Sequence, residues 1–217
     1  MSIIILIGAP GSGKGTQGDL LVKNFHYRKV STGDLLRGHI KNKTAIGIKV
    51  ESILSAGRLV SNEILLQLVK QSLDEHKEST VILDGYPRTV EQAKSLTEID
   101  TSKRLQAVIH IELDQKLLLE RLTGRRVCSS CGATYHIDGM MPQQTNTCDS
   151  CGGEIVTRPD DQEDKILTRL QVYQDETSPV LAYYERLGLL KTVEGNVPPE
   201  DVKRKIVNVL KSLSLEA

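Results

Sequence analysis

The stretch IIILIGAPGSGKGTQ (Ile3–Gln17) constrains this chain more than any other. Its unbroken aliphatic run predicts a short strand over Ser2–Ile7 covered on both faces, because a strand with one wet face would alternate. Gly8, Gly11, Gly13 and Gly15 follow at once, with Lys14 just past a G-x-G, and a helix is expected from Lys14 to Asn24. A glycine loop between a strand and a helix forms a phosphate cradle. Backbone N–H groups of the loop and first turn point at the anion, and the helix dipole adds positive potential. Glycine permits the sharp turn and the close approach, and the lysine reaches terminal phosphates as a point charge. Glycines placed for turning alone would leave the lysine unexplained. The usual loop places Ser or Thr directly after the lysine as a magnesium ligand. Here Gly15 occupies that slot and Thr16 follows.

Further apolar runs, Thr80–Leu83, Leu105–Leu113 and Leu189–Val193, read as strands. Helical spacing fills the intervals: Gly33–Lys41 after the cap-like Ser31 and Thr32, then Ala45–Ala56, Asn62–His76, Thr89–Leu96, Asp114–Thr123 and Pro199–Leu213. Asp114 is expected to cap its helix and Gly124 to close it. A helical stretch from Asp160 to Leu187 should be kinked or split at Pro179. Strands alternating with helices predict an α/β fold, a parallel sheet with helices on both faces. Val127–Pro159 breaks this pattern. It holds all four cysteines and few aliphatic residues, so it reads as a small inserted module.

Twenty-eight Lys plus Arg balance 28 Asp plus Glu. No net charge draws the chain to nucleic acid or membrane, so any anion site must come from local arginine placement. No apolar stretch reaches the roughly 18 residues of a membrane span, and no basic n-region marks a signal peptide. A cytoplasmic, monomeric protein is the expectation. In that compartment, cysteines are metal ligands more often than disulfides.

Cys128, Cys131, Cys148 and Cys151 form CxxC-x16-CxxC. Two such pairs complete a tetrahedral thiolate site, expected to hold zinc; four protein ligands make it closed and structural. Two disulfides are disfavoured by compartment. Redox chemistry is disfavoured because nothing nearby activates one sulfur selectively. Between Cys128 and Cys151 there is no Lys or Arg and one aromatic, Tyr135, which argues against nucleic-acid binding. The histidines, at 26, 39, 76, 110 and 136, are scattered, and none is assigned as base or ligand.

The loop GAPGSGKGT resembles that of the adenylate kinases and related nucleoside monophosphate kinases, and further segments match in order along nearly the whole chain. STGDLLR (Ser31–Arg37) is similar to the family's monophosphate-binding stretch, GRLVS (Gly57–Ser61) to the next acceptor segment, and DGYPRTVEQA (Asp84–Ala93) to its most specific motif, with Tyr86 where Phe is usual. GRRVC, ATYH, TRPDDQEDKILTRL and EGN follow. The resemblance implies a P-loop NTPase-type core at 1–30, 61–125 and 161–217, a helical AMP-binding segment at 31–60 and a zinc lid at 126–160. It further implies reversible transfer of a phosphoryl group, MgATP plus AMP giving two ADP, with lid closure excluding water.

The same resemblance implies residue roles. Gly11, Ser12, Gly13, Lys14, Gly15, Thr16, Arg121, Arg125, Thr134, Tyr135 and Val197 would bind ATP, Arg121 lying flat on the adenine. Val197 stands where a polar residue is often found. Thr32, Arg37, Arg58, Leu59, Val60, Gly85, Arg88, Gln92, Arg158 and Arg169 would bind AMP, with Gln92 reading the adenine edge. Lys14, Arg88, Arg125, Arg158 and Arg169 would be catalytic, and Asp84 would hold magnesium through its waters. The zinc lid matches long-form bacterial members, with iron a possible substitute in vitro. Alternatives within the pattern are a UMP/CMP or GMP kinase; outside it stand a non-catalytic nucleotide-binding protein and a hydrolytic phosphate-loop NTPase.

Overall fold

The computed structural model describes residues 2–100 and 104–215. The outer ends of the expected core segments, residue 1 and residues 216–217, lie outside the described residues, as do 101–103. The strands β1 (Ile3–Ile7), β2 (Arg28–Ser31), β3 (Val81–Asp84), β4 (Leu105–Glu112) and β8 (Leu190–Glu194) form one parallel sheet in the order β2-β3-β1-β4-β8. Helices α1 (Lys14–Asn24), α2 (Thr32–Lys41), α3 (Ala45–Ser55), α4 (Asn62–Glu75), α5 (Val90–Ile99) and α6 (Gln115–Thr123) connect these strands up to the cysteine segment.

Both faces of β1 are covered, which is why its sequence does not alternate. Ile3, Ile5 and Ile7 pack with Leu36, Val69, Leu96 and Tyr184 on one side; Ile4 and Leu6 pack with Leu21, Ile206 and Leu210 on the other. The carboxyl ends of β1 and its neighbours therefore open at the point where strand order reverses, the place where parallel sheets bind ligands.

Three local features differ from expectation. Strand β2 was not foreseen: it is a short edge strand whose first half is the exposed Arg28 and half-buried Lys29, so neither period nor apolar run marks it. Asp114 stands at the start of α6 without capping it. Its carboxylate instead accepts from Asn196 Nδ2 at 2.9 Å, tying α6 to the turn after β8. The stretch after the cysteines begins with a 3₁₀ turn (Pro159–Asp161), continues as α7 (Glu163–Val172), and passes through a π turn (Tyr173–Thr177) into α8 (Ser178–Arg186). Pro179 sits in the first turn of α8, where its missing N–H costs nothing. Helix α9 (Pro199–Ser212) closes the chain's fold.

The cysteine segment folds as a separate antiparallel sheet, β6-β5-β7, from β5 (Arg125–Cys128), β6 (Thr134–His136) and β7 (Ile155–Val156). Gly124 joins it to α6 with an ordinary helical φ of −78°. The His136 ring lies against Gly124: a Cβ there would stand 2.4 Å from Nε2, so any larger residue would have to move that ring. Among the described residues, no helix is long and apolar enough to cross a membrane.

Candidate active site

A cleft of about 590 Å³ opens at the carboxyl ends of the parallel strands. Its floor is the glycine loop. Gly13 caps α1 with φ 95°, a left-handed conformation that other residues rarely adopt, and so leaves the first-turn N–H groups facing outward. Lys14 folds over the loop and donates to the carbonyls of Gly8 at 2.8 Å and Ala9 at 3.0 Å. Burial pushes its ammonium down to about 8; Asp84 opposes that shift, and Arg88, Arg169 and Arg125 add to it.

Asp84 ends β3, in register with Leu6 of β1 and Ser31 of β2. The next residue, Gly85, offers its carbonyl to two neighbours: Thr32 Oγ1 donates at 2.8 Å and Arg88 Nε at 2.8 Å. That leaves the terminal nitrogens of Arg88 free of the anchor. Burial and then repulsion from Arg169 hold Arg88 down at about 10, still charged at neutral pH. Arg158 is likewise lowered to about 10, by burial and then Arg125, and its buried Nε has no protein partner.

Two acidic residues balance this cluster. Arg125 donates from Nε to Asp161 Oδ2 at 2.7 Å and from Nη2 to Oδ1. Arg169 Nη1 donates to the same Oδ1 at 2.7 Å and lies 3.1 Å from Asp160 Oδ2. Burial alone would raise the Asp160 carboxyl, but Arg169, Arg125, Arg37 and Arg158 outweigh it and hold it below the usual range.

The structure gathers most of the sequence-assigned residues on this one cleft. Gly11, Ser12, Gly13, Lys14, Gly15, Thr16, Arg37, Arg58, Leu59, Asp84, Gly85, Arg88, Arg121, Arg125, Thr134, Tyr135, Arg158, Arg169 and Val197 border it. Thr32, Val60 and Gln92 are buried just behind its wall. The Gln92 amide is engaged at both ends, accepting from Arg88 N at 2.7 Å and donating to Asn62 Oδ1 at 2.7 Å. Arg121 Nη2 donates to the Gly195 carbonyl at 3.0 Å, which fixes the turn before Val197. Sequence reading passed over Asp160 and Asp161, although both stand in RPDD directly after Arg158. It also passed over Lys41, whose Nζ reaches the carbonyls of Ser129 and Ser130 at 3.3 and 3.4 Å. Nothing in the spacing of a surface lysine marks such a contact.

The four cysteines are free and converge, their sulfurs all within 4.8 Å of one another. Cys128 and Cys151 sulfurs lie 3.5 Å apart, and those of Cys131 and Cys148 3.6 Å. Disulfide sulfurs would stand about 2.05 Å apart, whereas a zinc–sulfur distance of about 2.3 Å gives tetrahedral edges near ~3.8 Å. The set therefore fits a metal ion.

A parallel sheet, a glycine loop on its central strand and converging cations define a phosphate-loop nucleotide-binding protein of the α/β class. The family model described as Adenylate kinase matches residues 6–189. The chain is similar to adenylate kinases of Clostridium tetani (41% identical over 214 residues, 97% of this chain and 99% of the relative) and of Geotalea daltonii (42% over 210 residues, 95% and 98%). That of Pelobacter propionicus is 42% identical over 214 residues, 97% of each chain. The chain belongs to the adenylate kinase family. It is a phosphotransferase, acting in the reaction ATP plus AMP giving two ADP.

Proposed function

We propose that this reaction runs at the junction between the glycine loop and the arginine cluster, with the cysteine segment closing over it as a lid. The observation that carries the reading is the convergence of Lys14, Arg88, Arg125, Arg158 and Arg169 on one cleft at the switch point of the sheet. A phosphate oxygen of AMP is already a nucleophile at neutral pH, so no side-chain nucleophile is required. The task is to bring two polyanions together and balance the charge that moves between them. Planar guanidinium groups suit that spread charge better than ammonium groups. One well-placed arginine contributes about 10³–10⁵ in rate, or about 4–7 kcal/mol of barrier.

In this reading the loop, Arg121, Arg125, Thr134, Tyr135 and Val197 hold ATP. Arg37 and Arg88 hold the AMP phosphate, Arg158 and Arg169 bind on the AMP side facing the transferring phosphoryl group, and Thr32, Arg58, Leu59, Val60, Gly85 and Gln92 shape the acceptor side. Thr32 and Gln92 do so from behind, through Gly85 and Arg88. Asp84 faces the loop closely enough that a Cβ on Gly15 would lie 3.6 Å from its Oδ2, a suitable oxygen for the waters of a magnesium ion. When bound with ATP, that ion neutralises phosphate charge. The core (1–30, 61–125, 161–217), acceptor segment (31–60) and lid (126–160) are the moving units. Arg125 and Arg158 bracket the cysteine insert in sequence, so closure of the lid delivers positive charge and expels water together.

Cys128, Cys131, Cys148 and Cys151 would hold zinc, which supplies the lid with the core its sequence lacks. The apolar cluster there is only Cys128, Tyr135, Cys148 and Ile155, with Ala133 against it. The protein is read as a cytoplasmic monomer without nucleic-acid or membrane partners. The test is an acceptor panel of AMP, UMP, CMP and GMP with ATP, run before and after gentle zinc removal. AMP should be preferred, and ATP alone should be nearly stable. Substantial ATP loss without acceptor, or a preference for UMP, CMP or GMP, would overturn this assignment.

A further inference from the structure

Tyr135 belongs to two sites at once. As a residue it borders the nucleotide cleft. Its hydroxyl lies inside the cysteine module, accepting from Asp149 N at 2.9 Å and donating to Cys148 Sγ at 3.4 Å. A phenol has one proton; with the backbone N–H supplying the accepted bond, that proton is aimed at the sulfur. Tyr135 packs with Cys128, Cys148 and Ile155 and the residue is 8% exposed, so the hydroxyl cannot swing away. The main chain is fixed as well, since Tyr135 pairs with Arg126 across β5 and β6.

The two cysteine pairs are not equivalent. Cys128 Sγ accepts from the backbone N–H of Ser130 at 3.4 Å and of Cys131 at 3.5 Å. Cys148 Sγ has the matching backbone donors, Ser150 and Cys151, and takes a side-chain hydroxyl in addition. Four thiolates around a divalent ion carry net negative charge, beside a cleft that must receive polyanions. A donor on one sulfur withdraws part of that charge and fixes the direction of its lone pairs. Partners of this kind orient metal ligands and set affinity.

We propose that Tyr135 is a positioning residue for the metal: its hydroxyl orients the Cys148 thiolate, and the bound ion in turn locks the side chain of a residue that borders the cleft. This rests on the reading that the four cysteines hold zinc.

The test compares the full-length protein with Tyr135→Phe, which keeps the ring and removes the hydroxyl. Zinc affinity is measured by competition with a chromophoric chelator, and the thiolate-to-metal charge-transfer absorption is recorded after loading with cobalt(II). The variant should bind zinc about 10–100-fold more weakly, and its cobalt absorption should shift because one sulfur has lost a donor. Equal affinity overturns the proposal. So does weaker binding with an unchanged cobalt spectrum, which marks a merely structural hydroxyl. If the variant does not fold even with zinc, the wild-type protein decides: zinc extraction must perturb tyrosine absorption, and no perturbation overturns the proposal. A wild-type protein that binds no zinc defeats the metal reading and this inference together, a result distinguishable because ADP formation from ATP and AMP is assayed on the same sample.

Discussion

Arg125 grips the carboxylate of Asp161 with two guanidinium nitrogens, although 36 residues and the entire cysteine sheet separate the two in sequence. The carboxylate is fully buried and also receives Arg169. One acidic group thus sets the arginine that begins the cysteine sheet beside the arginine of α7. It also tempers a cluster whose members repel, since Arg169 weighs against the charge of Arg88 and Arg125 against that of Arg158.

Replacing Asp161 by Asn should therefore deprive Arg125 of this counter-charge and leave Arg169 with Asp160. Breaking a buried ion pair from one side costs about 3–5 kcal/mol, and the partial exposure of both arginines places the expected loss near about 3 kcal/mol. Urea unfolding would report it as a lower midpoint. Saturating ATP should recover part of the loss, because phosphate supplies the missing negative charge and binds only the folded state. A midpoint identical to wild type would remove Asp161 from this account.

Arg88 offers a sharper test of the chemistry. Its Nε is spent on the Gly85 carbonyl, which leaves the remaining nitrogens to meet a phosphate in the proposed reading. Arg88→Ala should lower kcat by about 10³–10⁵. Arg88→Lys should recover little, because one ammonium cannot hold the Gly85 anchor and grip a phosphate in two places. Thr32 still occupies Gly85 in either variant, so melting temperature should change little. Undiminished steady-state rates of ADP formation would show that the cluster is not the reacting site.

These residues also show what a sequence can disclose. The loop, the buried strands and the cysteine spacing are local patterns, each with its own chemistry, and they were legible. Strand β2 was not, because four residues at a sheet edge, half of them charged, carry no period. Asp114 looked like a cap because cap preference is local, whereas Asn196 reaches it from 82 residues away. Asp160 and Asp161 stood in plain view beside Arg158, but pairing with Arg125 and Arg169 is a property of the folded cleft. Gln92 could be placed in a motif; that both ends of its amide are already occupied depends on Asn62 and on the backbone at Arg88.

If the four cysteines hold zinc as proposed, its removal should uncouple the cysteine sheet from the parallel sheet. The lid cluster has few apolar members, while metal binding in comparable small modules is worth roughly 10–16 kcal/mol. Chelation should abolish amide-exchange protection across β5, β6 and β7 and leave β1, β3 and β4 protected. ADP formation should fall steeply, because Arg125 and Arg158 are no longer delivered as a unit. Retained protection in 125–156 after verified zinc loss would mean that the sheet and its turns suffice without the ion.

Lys14 yields a prediction about protons. Burial brings its ammonium to about 8 in the protein, against an ordinary 10.5. Terminal phosphates of ATP would favour the charged form and raise that value in the complex. Between the two values the free protein has lost a proton that the complex retains, so binding must take one up and affinity must fall as pH climbs above about 8. A phosphate's own second titration lies near about 6, well below this window, and does not confuse the sign. Calorimetric titration of ATP at pH 8.5 in buffers of differing ionisation enthalpy should therefore show proton uptake, and Lys14→Met should abolish it along with most of the affinity. Binding heats that do not depend on the buffer would show that the lysine stays charged throughout, and that the loop carbonyls of Gly8 and Ala9, with Asp84, already compensate for its burial.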